Sequence, residues 1–442
     1  MKIGMVSLGC AKNQTDAEIM LGILADSGHK IVSSPKEAEA IIVNTCGFIT
    51  PAKQESIDAI LEMAQYKKEG KCRLLIATGC LAERYNDEME REIPEIDAIV
   101  GTGDFDKIGE ILKKSEKGEK ICLFGHQDYT LPENLPRILS TPFYTAYLKI
   151  ADGCDNNCTY CAIPKIRGHY KSRKIEDIID EAVRLSENGV KELILIAQDT
   201  TRYGIDLYGE PSLARLLEEL CKIEKIHWIR IHYFYVEAVT DELIRVMAEN
   251  EKICPYVDMP IQHINDDILR RMARRTNRCE TEERIKSIRN HIPDVAIRTS
   301  IIAGFPGETE EQFEELKDFI REIKFERMGV FAYSKEEGTP AYDFPCQIAE
   351  GEKERRKNEL MEIQQKISLE KNKAKIGTVQ EVLCEGYDAD NFMYFGRSRA
   401  DSIDVDGKVY FASSDEVEIG TFVKVEILDA DEYDLTGKTL ED

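Results

Sequence analysis

The sequence predicts an α/β multidomain protein. It has an N-terminal parallel α/β domain, a central open (βα)6 partial TIM-like barrel and a small, OB-like antiparallel β-barrel at the C-terminus. Three observations predict this. Short apolar strands alternate with amphipathic helices in two successive runs, the pattern of a parallel sheet covered on both faces. A stretch carrying Pro132, Pro136 and Pro142, with little periodicity, separates the runs. After Gly377 the pattern changes to short strands at close spacing.

The first run, 1–135, opens with the strand "KIGMVSL" and a helix over Thr15–Asp26. "AIIVNTC" follows with a helix over Lys53–Lys67, then "RLLIATGC" and "DAIVG". "YTLPENLPRILSTP" (129–142) reads as a linker. The second run, 140–345, holds six strands: "TAYLKIA", "KELILIAQ", "HWIRIHYF", "YVDMPI", "VAIRTSIIAG" and "MGVFAY". Six units make an open barrel rather than a closed one of eight. Residues 346–373 are chiefly a long charged helix. Residues 374–442 hold about five short strands, among them "TVQEVLCEG", "MYFGRSR", "KVYFAS" and "TFVKVEIL".

Composition narrows the classes. The net charge is −24, from 83 acidic against 59 basic residues, and such a surface repels nucleic acid. No apolar stretch approaches a membrane span. "MKIGMVSLGC" reads as a first strand without a cleavable leader behind it, so the expectation is a cytoplasmic protein. Its 13 cysteines are then metal ligands, catalytic thiols or buried apolar residues rather than disulfides.

"GCDNNCTYCAIP" sets Cys154, Cys158 and Cys161 just beyond a strand, where α/β sheets gather ligands. No fourth His or Cys follows at zinc spacing. Three soft thiolates suit an iron–sulfur cluster with one iron left open, with zinc as the alternative. C-x3-C-x2-C with Tyr160 before the last cysteine resembles the radical S-adenosylmethionine motif. In that family the open iron chelates S-adenosylmethionine (SAM), and one electron splits it to a 5′-deoxyadenosyl radical. "IIAGFPGE", with Gly304, Pro306 and Gly307, resembles the family's strand flanking the adenine, although a G-x-P-G sequence is by itself only a turn. Gln198 and Asp258 end other strands and are candidates to line the cofactor site, with strand-end capping as the alternative.

Cys10, Cys46 and Cys80 each follow a predicted parallel strand of the first run. Their spacing is one βαβ step each, so the three thiols are expected to converge into a second site. Chance burial of free cysteines is the alternative. Two such trios with a small C-terminal barrel, called TRAM, resemble the methylthiotransferases. The resemblance implies two 4Fe-4S clusters, SAM as methyl donor and radical source, and a flavodoxin- or ferredoxin-type electron donor.

Residues 374–442 carry six Lys and Arg against seventeen Asp and Glu. A barrel that holds RNA should be basic. The barrel therefore suits a basic protein, with Asp401, Asp404 and Asp406 among the charges expected to meet it. "SLGCAKNQTDAEIMLG" and "LIAQDTTRYGIDLYG" resemble the RimO type, which modifies the β-carbon of an aspartate in small-subunit ribosomal protein twelve. The rival readings are the tRNA-adenosine (MiaB) type and a non-catalytic iron–sulfur carrier.

Overall fold

The structure is a computed structural model that describes residues 1–127 and 133–440. Tyr129–Pro132 of the expected linker lie outside the described residues.

Six parallel strands form the first sheet. They are β1 (Lys2–Ser7), β2 (Lys30–Ile31), β3 (Ala40–Thr45), β4 (Leu74–Gly79), β5 (Ala98–Val100) and β6 (Ile121–Leu123), in the order β2-β1-β3-β4-β5-β6. β3 and β4 are buried at every position, between two apolar clusters. This burial on both faces is why they read as continuous apolar runs. The first helix spans Ala11–Asp26, four residues earlier than its apolar periodicity suggests. Its buried face includes Lys12, Asn13, Thr15, Asp16 and Glu18, so the hydrophobic pattern fades where the helix meets the site. The second helix, Thr50–Glu69, likewise exceeds the expected span.

The central strands are β7 (Thr145–Lys149), β10 (Glu192–Ile196), β11 (Trp228–Ile231), β12 (Tyr256–Asp258), β13 (Ala296–Ala303) and β14 (Arg327–Ala332). Between β7 and β10 lies a short antiparallel pair, β8 (Ala151–Asp152) and β9 (Lys171–Ser172). The parallel sheets β11-β10-β7 and β12-β13-β14 meet through a single parallel bridge, Ile229 to Ile253. The result is the expected open barrel of six strands. The helix Glu350–Lys373 packs on it through Leu360 and Ile367 and is part of its core.

The last strands are β15 (Val379–Asp388), β16 (Met393–Ser398), β17 (Val409–Ala412), β18 (Phe422–Ala430) and β19 (Leu435–Thr439). They close a barrel in the order β15-β16-β17-β19-β18. The pairing departs from a purely antiparallel barrel at one seam: β17 and β19 run parallel.

The loop between β16 and β17 enters the open barrel at the amino ends of its strands. Ile403 packs on Tyr147, Ile194 and Ile196. Asp401 meets Arg327 at 2.6 Å, and the Tyr256 hydroxyl donates to Asp406 at 2.7 Å. Glu192 binds Arg230 at 3.0 Å and Arg397 at 2.6 Å. This corrects one expectation. The side chains of Asp401 and Asp406 are only 2% exposed, so they are a plug and not a docking patch. The reason is charge pairing: the arginines lining the barrel's amino-end mouth need counter-charges once water is excluded.

Burial opposes ionisation of Glu192, but Arg397 and Arg230 outweigh it and hold its carboxyl at about 2. Its folded pKa lies below the unfolded one, so this stabilisation is present above about pH 4.5 and is lost as pH falls towards 2. Glu192→Gln should therefore flatten the acid limb of stability between those values and cost about 3 kcal/mol at neutral pH. Urea unfolding measured across pH checks this; parallel curves for variant and parent count against it.

Candidate metal centres

Cys10 follows β1, and Cys46 and Cys80 directly follow β3 and β4, so the three thiols share the carboxyl edge of one sheet. Two glycines let their loops touch. A Cβ on Gly9, which has φ +89°, would stand 2.8 Å from Cys46 Cβ, and one on Gly47 would stand 2.8 Å from the Cys80 carbonyl carbon. Asn13 fastens the loops, donating to Leu8 O at 2.7 Å and Thr45 O at 3.1 Å. Cys10 is the solvent-exposed thiol of the trio; the surrounding loops still desolvate it, but Lys12 and Arg167 outweigh that and bring it below its usual value. Burial pushes Cys80 up to about 12 against the pull of Arg167, and also raises Cys46.

The second trio lies on the loop after β8. Cys154 and Cys158 are buried and Cys161 is half-buried. Gly153 (φ +77°) permits a close approach, because a Cβ there would stand 1.9 Å from His169 O. Asn156 donates to Asp199 at 2.8 Å, and Thr159 N–H donates to Met272 O at 3.0 Å. Burial pushes the Cys154 thiol up to about 11.

Most of the other expected site residues lie near this loop, whereas the Asp258 carboxylate is taken up by Arg298 on the neighbouring strand. Tyr160 packs in the cluster of Ile268, Met272, Phe305 and Tyr333, which brings it against the Gly304–Gly307 turn. Gly304 (φ +73°) and Gly307 (φ +77°) face Lys353 Cγ and the Arg271 guanidinium, 2.5 Å and 2.1 Å from an added Cβ, with Pro306 between them. Glu308 accepts from the N–H groups of Gly304 and Phe305 and pairs with Arg356 at 2.8 Å. Gln198 donates to Asp152 at 2.8 Å, and its buried Oε1 has no partner. Asp258 pairs with Arg298 at 2.9 Å and accepts from Tyr233 N–H.

Sequence reasoning missed the charges that join the trios. Arg167 lies six residues after Cys161 and reaches Asp16 at 2.8 Å, Asp152 at 3.0 Å and Cys80 Sγ at 3.7 Å. Lys149 bridges the same two carboxylates, with 3.0 Å to Asp152. The Lys12 ammonium sits 3.2 Å from the Tyr233 ring centroid. Glu336, in the loop that follows β14, accepts from Thr50 N–H at 2.8 Å, Lys53 at 2.9 Å and Arg84 at 3.0 Å. Thr50 and Arg84 each stand four residues beyond a cysteine, Cys46 and Cys80, so one carboxylate holds both loops on the barrel. The only signal for Lys12, Asp16, Lys149 and Arg167 was their closeness in sequence to the cysteines, and Glu336 had none.

Residues 2–101 match "Uncharacterized protein family UPF0004", 148–320 the radical SAM superfamily and 376–440 the TRAM domain. The ribosomal protein uS12 methylthiotransferase RimO of Clostridioides difficile is 54% identical over 440 residues, covering 100% of this chain and 99% of the relative. The chain belongs to the RimO family. A second RimO, from Thermoanaerobacter, is 51% identical over 99% of both chains. The fold resembles the radical SAM methyltransferase TsrM of Kitasatospora setae, at TM-score 0.54 and 12% identity over 74% of this chain and 72% of that one. Another TsrM structure, with cobalamin and a 4Fe-4S cluster bound, gives TM-score 0.55 at 12% identity over 77% and 73%.

Radical SAM methylthiotransferases use SAM and 4Fe-4S clusters, and the donor sets of this RimO-family chain suit them. Among the described residues, no group of three or more His, Cys, Asp or Glu is placed to hold a single metal ion. In a cubane each thiolate ligates its own iron, so the thiols of a trio need not close on one point. The orphaned Gln198 Oε1 is an acceptor beside the second trio.

Glu336→Ala would leave Lys53 and Arg84 without their shared counter-charge. A loss of about 3–5 kcal/mol is expected, and Glu336→Gln should lose less. Equal urea midpoints for the alanine variant and the parent would refute the clamp.

Proposed function

We propose that this chain adds a methylthio group to the β-carbon of an aspartate in ribosomal protein uS12. The observation that carries the reading is the pair of cysteine trios, each three-legged, with Arg167 reaching Cys80 of the first from the helix that follows the second. Cys154, Cys158 and Cys161 would hold the cluster that binds SAM, and Cys10, Cys46 and Cys80 the auxiliary, sulfur-bearing one. Bound there, the groups supply reductive cleavage of SAM and the methylthio sulfur.

The chain's own residues do the rest. Asn156, Asp199 and Thr159 fix the cysteine loop. Tyr160, Gln198, Asp258 and the Gly304–Pro306–Gly307 turn are the proposed SAM contacts, and the unpartnered Gln198 Oε1 supports this for Gln198. Residues 1–135 would serve the auxiliary cluster, 140–345 the radical chemistry and 374–442 the substrate, with 346–373 buttressing the barrel.

The acidic C-terminal barrel supports a basic protein substrate over a tRNA. With Asp401 and Asp406 consumed at the junction, the exposed charges that remain include Asp390, Asp415, Glu416, Glu418, Asp429 and Asp431. An electron donor of flavodoxin or ferredoxin type is part of the proposal, as is action in the cytoplasm. No helix among the described residues is long and apolar enough to cross a membrane.

The direct test is mass spectrometry of uS12 from cells with and without this gene, where methylthiolation should vanish with the gene. Reconstituted protein should hold about eight irons, and the Cys154/Cys158/Cys161→Ala variant about four. The Cys10/Cys46/Cys80→Ala variant should still cleave SAM yet form no methylthiolated product; product from that variant would reassign the N-terminal trio. Neutralising Asp415, Glu416 and Glu418 to amides should slow association with uS12 more than it changes dissociation, and added salt should weaken binding. Tight tRNA binding by the parent with no uS12 binding would favour the tRNA reading.

A further inference from the structure

We propose that Arg167 is a positioning residue for the auxiliary centre: it donates to the Cys80 sulfur and raises the reduction potential of the cluster there. The proposal rests on the reading of Cys10, Cys46 and Cys80 as cluster ligands.

The geometry separates Arg167 from its neighbour Lys149. Both cations reach Asp16 and Asp152. Only Arg167 goes further, with Nη2 at 3.7 Å from Cys80 Sγ and 3.4 Å from Asn13 Oδ1. Asn13 in turn holds the backbone just before Cys10 and Cys46. One guanidinium thus touches one cysteine of the trio directly and the loops of the other two through a single amide.

The placement of Arg167 is over-determined. It ends the helix Ile163–Arg167, whose Ile166 packs with Ala162 against Cys80. The Thr102 hydroxyl donates to Ile166 O at 2.7 Å. The Arg167 side chain is 2% exposed, so its charge is little screened by water. An N–H donor and a positive charge at a ligand sulfur stabilise the more negative, reduced cluster and shift the potential upward. Asp16, on the far side of the guanidinium, pushes the other way. That opposition gives a test with two signs.

The background is the full chain carrying Cys154/Cys158/Cys161→Ala, so that only the auxiliary cluster remains. Its midpoint for one-electron reduction is read by spin-resonance titration with dithionite and mediator dyes. Arg167→Met should leave the cluster about tenfold less reduced at a fixed potential, about 59 mV lower. Arg167→Lys, which keeps the charge but loses the planar fork, should fall between. Asp16→Asn should move the midpoint up. Shifts of the same sign in Arg167→Met and Asp16→Asn, or a change under twofold in both, overturn the proposal. Should Arg167→Met take up no iron, Asp16→Asn alone decides: a rise supports the proposal, and a fall or no change overturns it. If the background itself holds no iron, the assignment of the trio fails, and this inference with it.

Discussion

Four buried charges, Asp16, Lys149, Asp152 and Arg167, set how the N-terminal sheet sits on the central barrel. Asp16 comes from the first helix, Lys149 and Asp152 from the strands before the second cysteine trio, and Arg167 from the helix behind it. None of their side chains is more than 20% exposed. Bringing four charges out of water is costly, and the cost is offset only when each finds its partners in one arrangement. Any sliding of the sheet on the barrel would strand a charge. The charge set and the apolar contact of Cys80 with Ala162 and Ile166 together hold the two cysteine trios at one separation.

A second buried set works at the opposite end of the barrel. The arginines at the amino ends of the strands, Arg230, Arg298 and Arg327, are answered by Glu192 and by acids delivered from the C-terminal barrel. The acidity of that barrel thus divides. Part pairs with the arginines of the central barrel, and part stays on the surface. Counting charges along the chain cannot make this division, because pairing depends on which side chains lose water.

The carboxyl ends of the strands stay open between these two sets. There Gln198 meets Asp152, just before the second trio, and Phe305 of the Gly304–Gly307 turn clusters with Tyr160. The first trio faces the same region, since Lys12 behind Cys10 covers Tyr233 at the end of β11. Chemistry at one end and anchoring at the other is the usual division in α/β barrels.

Much of this was legible in the sequence by itself. Six central strands and four of the six strands of the sheet before them were visible as apolar runs, whereas the short edge strands β2 and β6 carry too few apolar residues to show. Convergence of Cys10, Cys46 and Cys80 followed from their positions after successive strands, and the C-x3-C-x2-C loop carried its own chemistry. Tertiary structure alone decided the rest. The first helix begins at Ala11 because a polar site, invisible to hydrophobic periodicity, covers its first turns. The parallel seam of β17 and β19 depends on barrel closure, which a polar five-residue strand does not announce. Asp401 and Asp406 turned inward, and Arg167 and Glu336 became links between domains, because the partners of a charge lie far away in the chain. Local pattern specifies elements; which charges are buried together is settled only when the elements pack.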